Sequence, residues 1–233
     1  MYYYYFDWYY FLLIPVMIFA LWAQMRVSTT FNKYQQQHNR RNITGAEAAR
    51  RVLSASGVSG VAVEQVAGTL TDHYDPKANV IRLSSAVYGS TSTAAVGVAC
   101  HEAGHAVQHA VNYGPLKLRM ALIPVANFGS RLLLPLLLIS FVGSLFMPSL
   151  NLVTDLVLII FLITTFLQFI TLPVEFNASR RAMQSMENQG ILAGEELQGA
   201  RKVLTAAALT YVAARAVSLA QLFRILMLTR RRR

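Results

Sequence analysis

The stretch 98–110 reads VACHEAGHAVQHA and holds three histidines and one glutamate. On an α-helix, residues four apart lie on one face, roughly 6 Å apart along the axis. His101 and His105 can therefore both reach one zinc ion at the bond length of about 2.0–2.1 Å that imidazole requires. Glu102 is rotated by about 100° from His101. That puts it beside such an ion rather than on it, where a base must stand to deprotonate an activated water. His101, Glu102 and His105 thus spell H-E-x-x-H: two candidate ligands and a candidate base.

His109 continues the four-residue spacing for another turn. It lies eight residues from His101, roughly 12 Å along a straight helix, which no tetrahedral site spans. A glycine three residues after the second histidine, and another histidine three further on, would solve this by a chain reversal. Those positions are Gln108 and Val111. His109 is therefore read as a helix-surface residue or one that hydrogen-bonds near the site. Cys100 reads as a small buried core residue, and Ala103, Gly104, Ala106 and Val107 suit a helix that is itself buried.

A catalytic zinc site usually takes three protein ligands and keeps a fourth position for water. His38, His73, Asp155 and Glu175 are the candidates elsewhere in the chain. Glu175 stands out within LPVEFNASRRA (172–182), because it directly follows an apolar block. The plainer reading of Glu175 is a helix-capping carboxylate paired with Arg180 or Arg181.

The elements that must position these groups include membrane segments. Of 233 residues, 55% are hydrophobic and 14% charged, and the apolar residues come in long blocks. The formal charge is +10, with Arg230–Arg233 at the end and Arg26, Arg40, Arg41, Arg180 and Arg181 following apolar blocks. That placement suits anionic headgroups and the positive-inside rule. A nucleic-acid partner would need basic residues interleaved with exposed aromatics on one face, and that pattern is missing. A single cysteine excludes an intrachain disulfide.

Residues 1–25 read as a retained transmembrane anchor: Phe6–Met25 is about the 20 residues a crossing needs, with a Tyr/Trp cluster at one end as an interfacial belt. Residues 26–115 read as the soluble half. In it, Thr44-Gly45-Ala46-Glu47 opens a helix that Gly57 ends. Val61–Val66 alternates like a strand, and 70–84 reads as a hairpin turning at Asp75, Pro76 and Asn79. A helix capped at 90–92 then runs through H-E-x-x-H to Asn112. Apolar blocks at 121–147 and 152–172, separated by MPSLN, form a membrane hairpin within 116–172. A hairpin enters and leaves on one side, so His101 and Glu175 return to the same face, the cytoplasmic one by the charge rule. Residues 173–202 hold the candidate third-ligand helix. Residues 203–233 form an apolar helix with a basic tail, interrupted by Arg215 and Arg224, which either spans or lies along the interface.

The order HExxH, membrane hairpin, then E-F-x-A resembles the membrane gluzincins. The Tyr-rich anchor, LTDHYDP, CHEAGHAVQHA and LPVEFNASRRA are most similar to the YugP-type neutral zinc metallopeptidases, over nearly the whole chain. The resemblance implies an α+β zincin-like domain combined with transmembrane helices, mostly α with a small sheet. It implies one catalytic Zn2+ held by His101, His105 and Glu175, with Glu102 as base and proton shuttle. The broader gluzincins carry an aspartate four residues after the ligand glutamate. Here that residue is Ser179, so Asn177 or Ser179 must supply the support that orients a ligand. Zincin-type peptidases also bind substrate as an added strand on a sheet edge. On that reading the hairpin has a purpose, and His73 or Tyr74 are candidates to stabilise an oxyanion, although both also read as ordinary hairpin residues.

The expected function is a membrane-anchored zinc endopeptidase acting on proteins or peptides in a bacterial-type plasma membrane. One alternative is intramembrane proteolysis of the site-2 type, which needs an aspartate ligand in an N-x-x-P…D-G context. Asp155 is its only candidate and lacks that context. The other is a non-catalytic membrane scaffold with a structural zinc, which needs four ligands and no Glu102.

Overall fold

The computed structural model describes residues 8–68, 70–146 and 151–232. The tyrosine run 2–5, most of the MPSLN turn and Arg233 lie outside the described residues. The chain is mostly helical with one small sheet, and divides into two compact units: Met1–Trp22 with Leu118–Thr171 and Tyr211–Arg233, and Ala23–Lys117 with Leu172–Thr210.

The second unit is α+β. Its first helix, α1, spans Leu13–Gln35 and begins in the other unit. Helix α2 (Gly45–Ala55) starts where the capping signature predicts: the Thr44 side chain accepts from the Glu47 N–H at 3.2 Å. One face of α2 buries Ala46, Ala49, Val52 and Leu53. Strands β1 (Ala62–Val66), β2 (His73–Asp75) and β3 (Val80–Ser84) form a sheet in the order β1-β3-β2. β3 pairs parallel with β1 and antiparallel with β2. Being central, β3 is also the most apolar, and its Ile81 and Leu83 are fully buried.

Two aspartates set the hairpin expected at 70–84. The Asp75 carboxylate accepts from the N–H groups of Lys77 and Ala78 and from Arg82 at 2.9 Å, closing the turn. Asp72 accepts from the Ser84 N–H at 2.7 Å and locks the open end. Asn79 carries the left-handed backbone (φ 53°) that the turn needs, a conformation asparagine tolerates.

A short helix α3 (Ser85–Tyr88) leads to α4 (Thr93–Ala110), capped by Ser92, whose side chain accepts from the Ala95 N–H. Helix α4 carries H-E-x-x-H and is buried along most of its length. Helix α5 (Gly114–Phe146) takes the chain into the first unit, and α6 (Asn151–Asn188) brings it back at Leu172. α6 continues through Pro173 without a break, so Glu175 sits in the second half of a helix that starts in the apolar block. Helix α7 spans Gly194–Arg232.

The first unit is apolar and helical. Met17, Ile18, Leu21, Phe128 and Phe166 all face outward, which a water-exposed surface does not tolerate in such numbers and a bilayer requires. Among the described residues, three helical stretches are long and apolar enough to cross a membrane: Trp8–Gln35, Asp155–Asn188 and Gly194–Met227. The two arginines that interrupt the last are partnered inside this unit. Arg215 donates to the Gln168 carbonyl and to Thr171 Oγ1, and the Arg224 guanidinium lies 3.7 Å from the Tyr10 ring centre. A charge held this way is what an apolar helix needs in order to carry one.

Candidate metal centre

His101 and His105 project from α4 one turn apart, their rings nearly perpendicular with centres 4.7 Å apart. Glu175 of α6 meets both: its Oε2 lies 3.3 Å from His101 Nε2 and 3.5 Å from His105 Nε2. One donor atom from each of the three residues falls within 4.8 Å of the others. A tetrahedral zinc with bonds of about 2.05 Å separates its ligand atoms by about 3.4 Å, so the observed spacing fits that ion. Glu175 is only 4% exposed, and a carboxylate buried that deeply must face positive charge or donors.

What fixes the imidazoles is a chain of hydrogen bonds whose directions can be assigned one by one. The Arg181 guanidinium can only donate, so Asn177 Oδ1, at 2.8 Å from Arg181 Nε, is an acceptor. Gln108 Nε2 donates to that same oxygen at 2.9 Å and to the Val174 carbonyl at 2.8 Å. Gln108 Oε1 is then left facing His105 Nδ1 at 3.0 Å, so the imidazole must be the donor there. The opposite ring nitrogen, Nε2, faces Glu175 Oε2 at 3.5 Å, and in the neutral ring it is the atom that would offer a lone pair to a metal. On the other histidine, Ser179 Oγ lies 3.1 Å from His101 Nδ1. Serine thus occupies the orienting position where the resemblance led one to expect a carboxylate. Asn177 also contributes, but through Gln108.

Helix α6 reaches the site because Gly104 lets it. A Cβ added at Gly104 would stand 2.7 Å from the Ala178 carbonyl oxygen, inside contact distance. Ala178 and Ala182 are themselves fully buried, so small residues on both helices permit the close approach.

Glu102 is held by the sheet. Its Oε2 accepts from the Tyr74 backbone N–H at 3.0 Å. Tyr74 is on β2, at the edge of the sheet. The Tyr74 hydroxyl donates to Asn79 Oδ1 at 2.9 Å, an oxygen identified by Asn79 Nδ2 donating to the Gly60 carbonyl. His109 Nδ1, 2.7 Å from the same hydroxyl, is therefore the donor to it. Burial, with a smaller effect from the Asp75 charge, pushes the Tyr74 phenol above its ordinary pKa and keeps it protonated. Burial would push the His105 imidazole down, but Glu175 and then Glu102 outweigh it and move it up. Burial alone pushes the Cys100 thiol up, so it remains a neutral core group.

Of the residues singled out from sequence, the fold gathers His101, His105, Glu175, Asn177 and Ser179 around the centre, with Glu102 beside it. His109 lies away from the donor set, on Tyr74. His73 is exposed, its Nδ1 turned to the Thr71 carbonyl, and His38 bonds Thr91 Oγ1. Asp155 belongs to the other unit. The sequence reading assigns Gln108 no orienting role, although an amide three residues after the second histidine, on the same helix face, is a usable signal.

A centre of two histidines on the HExxH helix and a glutamate from a second helix of an α+β unit, in a chain with apolar helices of spanning length, defines a class of membrane zinc metallopeptidases. The family described as "Putative neutral zinc metallopeptidase" matches residues 9–230, and the chain belongs to it. The chain is 49% identical over 218 residues to "Putative membrane protease YugP" of Bacillus subtilis (strain 168), covering 94% of this chain and 95% of that relative. No solved structure matches the chain.

Proposed function

We propose that the protein is a membrane-anchored zinc endopeptidase with its active site on the cytoplasmic face. His101, His105 and Glu175 hold one zinc ion, and Glu102 is the general base. The observation that carries this is the convergence of the three donors, with Glu102 on the helix of the two histidines and held by Tyr74 rather than by the donor cluster. Zinc bound there supplies a Lewis acid and lowers the pKa of water.

The rest is the work of this chain's own groups. The Tyr74 N–H occupies Glu102 Oε2 and leaves Oε1 to take the proton of the attacking water. As the water oxygen bonds to the scissile carbon and the C–N bond breaks, Glu102 passes that proton to the leaving nitrogen. In a strand, the N–H and C=O of one residue point to the same side. The Tyr74 carbonyl therefore shares the edge that its N–H presents to the site, and can accept from a peptide N–H of the substrate.

The test compares purified protein with Glu102→Gln and Glu175→Ala, measuring zinc content and casein hydrolysis. Glu102→Gln is expected to keep zinc and lose activity by at least about 100-fold, and Glu175→Ala to lose most of its zinc. Full activity in Glu102→Gln sinks the mechanism. Full zinc affinity in Glu175→Ala removes the third ligand. A cysteine introduced at Arg181 should react with an impermeant label only from the cytoplasmic side; labelling from outside reverses the assigned face.

A further inference from the structure

Within the α+β unit, α1 and α7 line an open groove of about 530 Å³ that shares no residue with the three-donor cluster. Arg26 and Lys33 of α1 and Arg201 and Lys202 of α7 line it, together with the hydroxyls of Thr30 and Thr205. None of the lining residues is acidic. Among the described residues, Lys33, Arg201 and Lys202 have no carboxylate partner. Positive groups from two helices around one groove raise the local potential and attract an anion there.

The position along each helix says which anion. The apolar run of α1 ends at Met25, and that of α7 begins at Val203. Arg26, Arg201 and Lys202 therefore adjoin the ends of the apolar segments, the headgroup level of a spanning helix, and Lys33 lies about two turns further along α1. Ala206 and Leu209 extend the wall toward the apolar side, which suits an acyl chain rather than water. Basic pockets between membrane helices bind anionic headgroups in this manner.

We propose that this groove is a phosphate site that takes the headgroup of an anionic phospholipid. Arg201 and Lys202 from one helix and Lys33 from the other supply the charge, and the threonine hydroxyls add neutral donors. A bound lipid ties α1 to α7 within the unit that carries the metal centre.

The test is native mass spectrometry of the full chain released from nanodiscs of equimolar phosphatidylglycerol and phosphatidylcholine. Wild-type protein is expected to retain phosphatidylglycerol roughly tenfold over phosphatidylcholine, and R201Q/K202Q to fall to about equal retention. K33Q, on the opposite helix, should lower the preference by about threefold. All three side chains are exposed, so the variants are expected to fold, as circular dichroism and thermal melting would verify. R230Q/R231Q, which weakens the basic tail instead, should leave the preference intact. An unchanged preference in R201Q/K202Q, or its loss only in the tail variant, overturns the site. Inorganic phosphate titrated in detergent is the remaining arm. Tight, Arg201-dependent phosphate binding without any lipid preference overturns the lipid assignment in favour of a soluble phosphate.

Discussion

Gln108 Oε1 lies 3.0 Å from His105 Nδ1, and because the Gln108 amide donates to Val174 and Asn177, the imidazole can only be the donor. The Nδ1 proton of His105 is thus fixed by a glutamine that lies outside the three-donor cluster. Gln108 is completely buried. Replacing it with methionine strips His105 of its orienting acceptor and leaves the Val174 carbonyl short of a donor. Zinc affinity is expected to fall about 10–100-fold, read by competition with a chelator. Asn177→Leu should lie between this variant and wild type, since it removes one of two acceptors. Wild-type affinity in Gln108→Met would show that the network does not orient the ligand.

Ser179 permits a paired test. Ser179→Ala removes the Oγ that faces His101 Nδ1, and zinc affinity is expected to drop by about tenfold. Ser179→Asp supplies a charged acceptor at the same place and should match or exceed wild type. The same chelator competition, run on both variants, reads the sign of each change. Equal loss in both would mean that the position tolerates only serine for reasons of packing.

Gly104 and Gly97 lie two turns apart on α4 and should respond in opposite directions to alanine. At Gly104 the new methyl meets the Ala178 carbonyl oxygen at 2.7 Å. The helices must separate, at a cost of about 1–3 kcal/mol, and zinc affinity should fall with stability because Glu175 moves with α6. At Gly97 the methyl meets the Ala200 Cβ at 3.4 Å, an ordinary contact. There the gain in helix propensity, up to about 1 kcal/mol, should leave the protein as stable as wild type or more so. Thermal melting and zinc content of the two variants separate close packing from helix propensity.

Asp75 makes the hairpin sensitive to acid. The Arg82 guanidinium, and then the turn N–H groups of Ala78 and Lys77, hold its carboxyl below the usual carboxylate range. A pKa depressed in the fold contributes stability that is present above the unfolded pKa and lost as pH falls through the folded value. Wild-type stability should therefore decline as pH drops below about 4. Asp75→Asn, which does not titrate, should be less stable at neutral pH and show a flatter decline. Urea midpoints of both proteins from pH 6 to pH 3 measure this, and parallel curves would remove Asp75 as the source.

Features encoded within a few residues are legible in the sequence. Spacing of four on a helix puts His101 and His105 on one face with Glu102 beside them, because helical geometry is local. The same rise removed His109, which the fold places on Tyr74 instead. The Thr44 cap, the hairpin turning at Asp75–Asn79 and the apolar blocks were readable for the same reason: each is satisfied by neighbours in sequence. Glu175 emerged from the sequence only as one candidate among four, and through a family resemblance. Its proximity to the histidines depends on α5 and α6 carrying the chain out of the α+β unit and back. The tertiary structure alone decided the roles of Gln108 and Tyr74. Gln108 looked like a mere departure from a spacing pattern, and Tyr74 acts on Glu102 through its backbone, which side-chain identity does not report. Donor and acceptor assignments come from groups far apart in the chain, as with Arg181, Asn177 and Gln108. Only packing, made possible by the missing side chain at Gly104, brings them within hydrogen-bond range.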